Sequence, residues 1–273
     1  MRKIPFIKMD GLGNDFMIID EREKSYKLTS ENIVKLANRK TGVGFDQMIV
    51  LRKPSDTKLY AAKMVIFNAD GSGAGACGNG TRCVGKLLLD EKKAKSLKIE
   101  APNDRILEVF NGEQITVNMG KPKTAWNDIP LAKSTDTLSV TGIVDELPLP
   151  VAVNVGNPHA VFFVEDVMNL DIEKFGPMVE NHEMFPERTN VEFAEVISPD
   201  HIRMRVWERG AGVTAACGTG ASATLVAAVR KGLCNREAKV EMDGGTLTIA
   251  WTWEGNVMMT GDTNTAFEGE AFL

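Results

Sequence analysis

Metal-binding and disulfide-forming residues are scarce in this chain. Four cysteines (Cys77, Cys83, Cys217, Cys234) and three histidines (His159, His182, His201) are spread over 273 residues. No CxxC pair and no HExxH occurs, so neither a zinc-finger nor a zincin ligand set can be drawn. No metal is expected. Four cysteines are too few to staple a secreted scaffold of this size, and the opening MRKIPFIKMD lacks the apolar core of a signal peptide. A reduced, cytoplasmic protein is expected. A strong excess of one charge is missing as well. The 32 Lys and Arg against 37 Asp and Glu leave a net charge of −5, which argues against nucleic acid and membrane surfaces as partners. The uncharged stretch 211–229 nears bilayer length with 19 residues, but it holds Gly212, Gly218 and Gly220 with several Thr and Ser. It reads as a loop entering a buried helix.

What remains is an ordinary globular composition, 43% hydrophobic and 25% charged, at a length that suits two domains or one large one. Short apolar runs bounded by turn residues dominate: 6–9, 16–19, 48–51, 64–67, 106–110, 115–117, 151–155, 161–164, 202–207, 239–242, 246–251 and 256–259. Asp243-Gly244-Gly245 and Glu254-Gly255-Asn256 read as hairpin turns. Helical period is confined to a few places. Ser30 caps a short helix through Arg39, 81–93 carries Val84, Leu87 and Leu88 on one face, and 221–231 is apolar almost all round before Gly232. A helix with so little polar face needs cover on several sides, so a sheet curled around it is expected.

The most informative feature is a weak internal repeat. Lys63-Met64-Val65-Ile66-Phe67-Asn68, glycines, Ala76-Cys77-Gly78-Asn79-Gly80 and an apolar helix recur 140 residues later. The second copy is Arg203-Met204-Arg205-Val206-Trp207-Glu208, then Ala216-Cys217-Gly218-Thr219-Gly220 and a second helix. Asn68 and Glu208 each lie nine residues before their cysteine, and Gly13-Asn14 recurs as Gly156-Asn157 at an offset of 143. Two domains on one plan, facing each other around a pseudo-twofold axis, account for this.

A cysteine just before a helix sits where unpaired backbone N–H groups and the helix dipole favour a thiolate, and the adjacent glycines let N–H groups approach a carboxylate. Two such thiols on opposite sides of one carbon can remove a proton from one face and deliver one to the other. That is stereoinversion by two bases. A cysteine hydrolase needs one nucleophile, whereas inversion needs a matched pair.

At these residues the chain resembles the diaminopimelate epimerases, cofactor-independent enzymes of lysine and cell-wall precursor synthesis. The resemblance spans nearly the whole chain. It rests on 8–16 (KMDGLGNDF), Gly44-Phe45-Asp46-Gln47, 67–72 (FNADGS), 77–83 (CGNGTRC), Gly156-Asn157-Pro158-His159-Ala160, 188–193 (RTNVEF), Glu208-Arg209-Gly210-Ala211-Gly212 and 216–220 (ACGTG), in the family's order. It implies an α+β fold of two pseudo-symmetric domains, each a curled, mostly antiparallel sheet around a central apolar helix, with the active site in the cleft between them. The expected boundaries are 1–119 plus 264–273 and 120–263. By the same resemblance Cys77 and Cys217 are the acid–base pair, and His159 and Glu208 bias the protonation of the thiols. Asn14, Gln47, Asn68, Asn157, Asn190, Glu208 and Arg209 would hold the substrate, with backbone groups of Gly78, Asn79, Gly218 and Thr219 receiving the carboxylate. It further implies a small diamino dicarboxylic acid as substrate, no cofactor, and a homodimer. Asp10 stands where the family often has His and Val213 where it often has Glu.

Rival readings remain at this point. The stretches 73–78 (GAGACG) and 210–215 (GAGVTA) match the dinucleotide fingerprint. In the first, Asn68-Ala69-Asp70 intervenes between strand and glycines, and Glu100 lies too far on for the ribose. No Walker sequence occurs, because Thr81 follows Gly80 without a Lys. A non-catalytic amino-acid binding module would need neither cysteine. A racemase of another amino acid, such as histidine, on the same two-cysteine plan is the serious alternative.

Overall fold

A computed structural model describes residues 2–75 and 77–273. Ala76, which opens the first cysteine loop, lies outside the described residues. The chain divides into two compact units, one formed by the chain up to Val117 together with Gly261–Leu273, the other by Asn118–Thr260.

The first unit begins with β1 (Lys3–Gly11), β2 (Asn14–Asp20), α1 (Ser30–Ala37), β3 (Gln47–Arg52), β4 (Lys63–Asn68) and β5 (Gly73–Ala74). It continues with α2 (Gly78–Lys92), β6 (Ser96–Ala101), β7 (Arg105–Phe110) and β8 (Ile115–Gly120), which leads into the second unit. There the order is β9 (Val151–Asn154), β10 (Pro158–Phe163), α3 (Ile172–Glu180), β11 (Asn190–Ser198), β12 (His201–Glu208) and β13 (Gly212–Thr214). Then come α4 (Gly218–Arg230), β14 (Glu237–Met242), β15 (Gly245–Trp251) and β16 (Val257–Gly261). A last strand, β17 (Asn264–Phe272), returns to pair antiparallel with β1 in the first unit.

The pairing pattern repeats. In the first unit β1–β2 is antiparallel, β2–β3 parallel, β3–β4 and β4–β5 antiparallel, β4–β6 parallel and β6–β7 antiparallel. In the second, β9–β10, β10–β11, β11–β12, β12–β13, β12–β14 and β14–β15 follow the same sequence of senses. This is the curled, mostly antiparallel α+β plan that the resemblance implies.

Strand alternation gives each sheet two buried faces. On one, Met17, Ile19, Met48 and Val50 pack with Ile33 and Leu36 of α1, and Ala160, Phe162, Val191 and Phe193 pack with Ile172, Phe175 and Val179 of α3. The opposite face meets the repeated helix. In α4, every residue from Gly218 to Ala228 is buried, which small side chains allow by letting strands approach from several sides.

Several local expectations shift. Thr29, not Ser30, caps α1, in a capping box with Asn32. The repeated helices start three residues earlier than their periodicity suggests, at Gly78 and Gly218 rather than Thr81 and Ala221. The apolar stretch 211–229 is the expected loop and helix, with β13 inside the loop. Among the described residues, no helix is long and apolar enough to cross a membrane.

Candidate functional site: two cysteine-capped helices

Each repeated helix is capped by its cysteine. Cys77 is the N-cap of α2 in extended conformation, and its Sγ accepts from the Gly80 backbone N–H at 3.2 Å. Cys217 caps α4 in the same way, with Gly220 N at 3.4 Å. The sulfur thus takes the place of a Ser or Asp oxygen at a helix start, where first-turn N–H groups have no intrahelical partner. The glycines make room. A Cβ on Gly80 would lie 2.6 Å from Ile49 Cδ1, and one on Gly220 would lie 2.9 Å from Glu192 Oε1.

Around the first loop, the Cys77 thiol lies 3.7 Å from Asn14 Oδ1. Asn14 Nδ2 donates to Asp46 Oδ2 at 3.0 Å, and the backbone N–H groups of Asp15 and Asp46 donate to each other's carboxylates at 3.1 and 2.8 Å. Arg39 grips Asp15 with both Nη atoms at 2.9 and 2.8 Å, and buried Lys8 reaches Asp15 Oδ2 at 2.6 Å. Burial alone would raise the Asp15 carboxyl, but the Arg39 and Lys8 contacts overcome it and hold the group far below the usual carboxylate range. Gln47 and Asn68 face each other across β3 and β4, with Gln47 Nε2 donating to Asn68 Oδ1 at 3.1 Å. Asn79 is buried in the first turn of α2, and among the described residues neither its Oδ1 nor the Gln47 Oε1 has a hydrogen-bond partner. Arg82, one turn past the cysteine, is fully buried, and its charge attracts Cys77.

The second loop is more polar. Cys217 Sγ lies 3.5 Å from Thr219 Oγ1, which accepts from Asn157 Nδ2 at 3.4 Å. Asn157 Oδ1 contacts His159 Nε2 at 2.9 Å, and His159 Nδ1 contacts Glu192 Oε1 at 2.7 Å. His159 and Glu192 are both completely buried. Glu208 takes a hydrogen bond from Thr214 Oγ1. Asn190 Oδ1 accepts from the Arg209 backbone N–H at 3.0 Å, while its Nδ2 donates to the Pro158 carbonyl at 2.9 Å. One end of that amide therefore holds the 208–210 turn and the other ties it to the start of β10. The Glu180 carboxylate supports the same turn from below, accepting from Gly210 N at 2.9 Å and Trp207 Nε1 at 2.7 Å. Arg209 Nη1 rests on the Glu187 carbonyl at 2.9 Å.

Burial and neighbouring charge act against the helix terminus at Cys217. A helix N-terminus favours a thiolate, yet the Cys217 thiol is pushed well up, by burial first and then by the charges of Glu208 and Glu192. Two carboxylates and desolvation oppose the helix dipole there. Cys83 is fully buried, as expected of a core cysteine, and burial pushes it up to about 12. Cys234 is only half-buried, just past α4, and rises to about 11 for the same reason.

Sequence reasoning assigned no role to Glu192, Lys8, Asp15, Arg39, Asp46 or Glu180. Lys8, Asp15, Asp46 and Glu192 lay inside the stretches that carry the resemblance. The available signal was an acid at a strand position two residues from Asn190, on the face turned toward α4.

Comparison with known proteins supports the resemblance over nearly the whole chain. The family model described as diaminopimelate epimerase matches residues 6–125 and 151–266. A diaminopimelate epimerase of Acidiphilium cryptum is 48% identical over 268 residues, covering 97% of this chain and 95% of that protein. One of Rhodospirillum centenum is 47% identical over 266 residues, covering 97% and 91%. Among solved structures, a phenazine biosynthesis protein of the PhzF family from Enterococcus faecalis superposes with a TM-score of 0.69 at 14% identity, over 100% of both chains. That likeness concerns the fold alone. With both cysteine loops inside the matched ranges and near-complete relatives on either side of them, the chain belongs to the diaminopimelate epimerase family.

Proposed function

We propose that the protein interconverts LL- and meso-diaminopimelate by proton transfer at one α-carbon, with the Cys77 and Cys217 sulfurs acting on opposite faces. The observation that carries this reading is the pair of cysteine-capped helices on one repeated plan, in a chain related over nearly its full length to diaminopimelate epimerases. One sulfur, as thiolate, takes the α-proton. The other, as thiol, gives its proton to the far face, and the two sulfurs end with exchanged protonation. The α-proton is acidic enough only if the developing negative charge at the carboxylate is met, a task for first-turn N–H groups of Gly78, Asn79, Gly218 and Thr219. Both transfers are supplied by side chains, so the reaction calls for no prosthetic group.

Asn14, Gln47, Asn68, Asn157, Glu208 and Arg209 line up as substrate contacts, and Asn190 serves by orienting Arg209. His159 and Glu208 bias the protonation of the thiols, Glu208 by pushing the Cys217 thiol up. In this reading the protein works in the cytoplasm as a homodimer. The test is turnover of LL-diaminopimelate by the purified protein in deuterium oxide. Formation of the meso isomer with one deuterium at the inverted carbon is the expected result. Inversion of histidine or lysine with no action on diaminopimelate would transfer the assignment to the racemase alternative.

A further inference from the structure

The repeat makes two positions directly comparable. Phe16 pairs with Gln47 across β2 and β3, and His159 pairs with Asn190 across β10 and β11 in the same parallel register. Two residues further along lie Ile49 and Glu192. The glycine contacts agree: a Cβ on Gly80 would meet Ile49 and Phe16, and one on Gly220 would meet Glu192. Where the Cys77 half places a phenylalanine and an isoleucine, the Cys217 half places a fully buried histidine and glutamate.

Burying such a pair is unfavourable for stability compared with apolar residues of similar size. The first unit demonstrates that the fold accepts the apolar version. A reason for the polar one lies in its hydrogen bonds. An amide carbonyl only accepts, so Asn157 Oδ1, 2.9 Å away, requires a hydrogen on His159 Nε2. One further proton then occupies the 2.7 Å contact between His159 Nδ1 and Glu192 Oε1. On the other side of Asn157 the chain runs through Thr219 to the Cys217 sulfur.

We propose that Glu192 is a positioning residue of the Cys217 half: paired with His159 through one shared proton, it orients Asn157 and Thr219 against the sulfur and makes Cys217 the thiol that rests protonated. The idea rests on the two-thiol reading above and adds a residue that this reading does not use. Among the described residues, the charged groups that bear on the sulfur are Glu192 on β11 and Glu208 on β12, with His159 on β10 hydrogen-bonded to Glu192. The strands β9, β14 and β15 bury Val151, Val153, Val240, Met242, Leu247 and Ile249. Of these groups, Glu192 and Glu208 are the carboxylates that push the Cys217 thiol up.

The test is Glu192→Gln, which keeps shape and hydrogen-bonding capacity but cannot carry the negative charge. The thiol that must stay protonated governs the alkaline limb of kcat/KM. With its shared proton the pair carries no net charge, so Glu192→Gln removes only the carboxylate end that bears on the sulfur. This favours the thiolate, and the limb should move down by roughly half a pH unit, about a threefold further loss of kcat/KM on that limb. Glu192→Asp, which retains the charge, should leave the limb near its wild-type position. A Glu192→Gln enzyme with an unmoved limb overturns the proposal and leaves only a packing role. A readout on the unaltered protein covers the case in which the variant does not fold. Nitrogen-15 spectra of the His159 ring should show hydrogen on Nε2 and a strongly deshielded proton shared by Nδ1 near neutral pH. A bare Nε2 overturns the proposal even where activity is high. Absence of any turnover of diaminopimelate by the wild type would instead overturn the proposed function, with the spectrum still deciding the state of the pair.

Discussion

The two cysteine loops share backbone, capping geometry and strand pairing, and differ in what surrounds the sulfur. Beside Cys77 lie Phe16 and Ile49, with the buried Arg82 guanidinium one turn along the helix. Beside Cys217 lie Glu192, Glu208 and His159, and the position matching Arg82 is Ser222. A cation near one sulfur and carboxylates near the other break the equivalence of the two thiols. A pair of identical thiols would spend much of its time with both protons on or both off. Opposed surroundings favour the one-on, one-off state that a two-base inversion consumes. The lesson is that an internal repeat supplies two acid–base groups, and divergence of a few buried neighbours tells them apart.

The largest expected effect removes either member of the comparison. Cys77→Ala and Cys217→Ala should each lower kcat for inversion by at least about 10²–10⁴-fold, the range for loss of a general acid or base. Cys83→Ala and Cys234→Ala should stay within a few-fold of wild type. Inversion at a normal rate by either capping-cysteine variant would end the two-sulfur account. Arg209 sharpens the comparison next, because the matching position in the first half is Ala69. At that position the second half alone offers a guanidinium for bidentate grip of a second carboxylate. Losing a charge-assisted hydrogen bond costs about 1.5–3 kcal/mol, so Arg209→Met should lower kcat/KM for LL-diaminopimelate by roughly ten- to a hundredfold. An equal loss on a monocarboxylic amino acid would place Arg209 at the reacting carbon instead of the distal end.

Converting one half into the other separates stability from function. The double replacement His159→Phe with Glu192→Ile gives the Cys217 half the apolar neighbours of Cys77. Replacing a buried ionic pair by apolar residues is expected to be neutral or stabilising by about 1–4 kcal/mol. Glu192→Ile alone, which strands the His159 Nδ1, should cost about 1–3 kcal/mol. Activity should fall in both. Urea denaturation of the three proteins measures the first contrast and the epimerisation assay the second. A double variant less stable than the single one would mean that the His159–Glu192 pair holds the fold rather than the chemistry.

How much of this was legible in the sequence follows from which signals are local. The cysteine loops were legible because strand, glycines, cysteine and helix repeat at a fixed offset, and the pairing senses of both units bear that repeat out. The helix starts were not. Glycine is a poor helix former, so Gly78, Gly80, Gly218 and Gly220 read as loop, although contacts with Ile49 and Glu192 from distant strands demand glycine at 80 and 220. Helix α3 escaped notice because Pro177 lies inside its nine residues. Strand β17 is mostly exposed and shows no clean alternation. Glu192 was unreadable as a functional residue because its partner His159 is 33 positions away, and no local rule pairs them.

The smallest expected effect concerns how each half holds its asparagine. Asn157 is fixed by a buried histidine and a threonine, whereas Asn14 is fixed by Asp46 within an ion network that also contains Asp15, Arg39 and Lys8. Asp15 is the link on which this network closes, since it meets both cations and the Asp46 backbone. Its carboxyl is depressed in the folded protein, so its contribution is fully present above the unfolded value of about 3.9 and lost as pH falls toward the folded one. Asp15→Asn leaves the buried Lys8 ammonium without its anion, a cost of about 1–3 kcal/mol at neutral pH. The gap between variant and wild type should therefore be constant from about pH 7 to pH 5 and shrink below about pH 4. Thermal unfolding across that range measures it. A gap that persists unchanged at pH 3 would show that Asp15 acts through its hydrogen-bond geometry alone, and would make the two asparagine supports alike in kind.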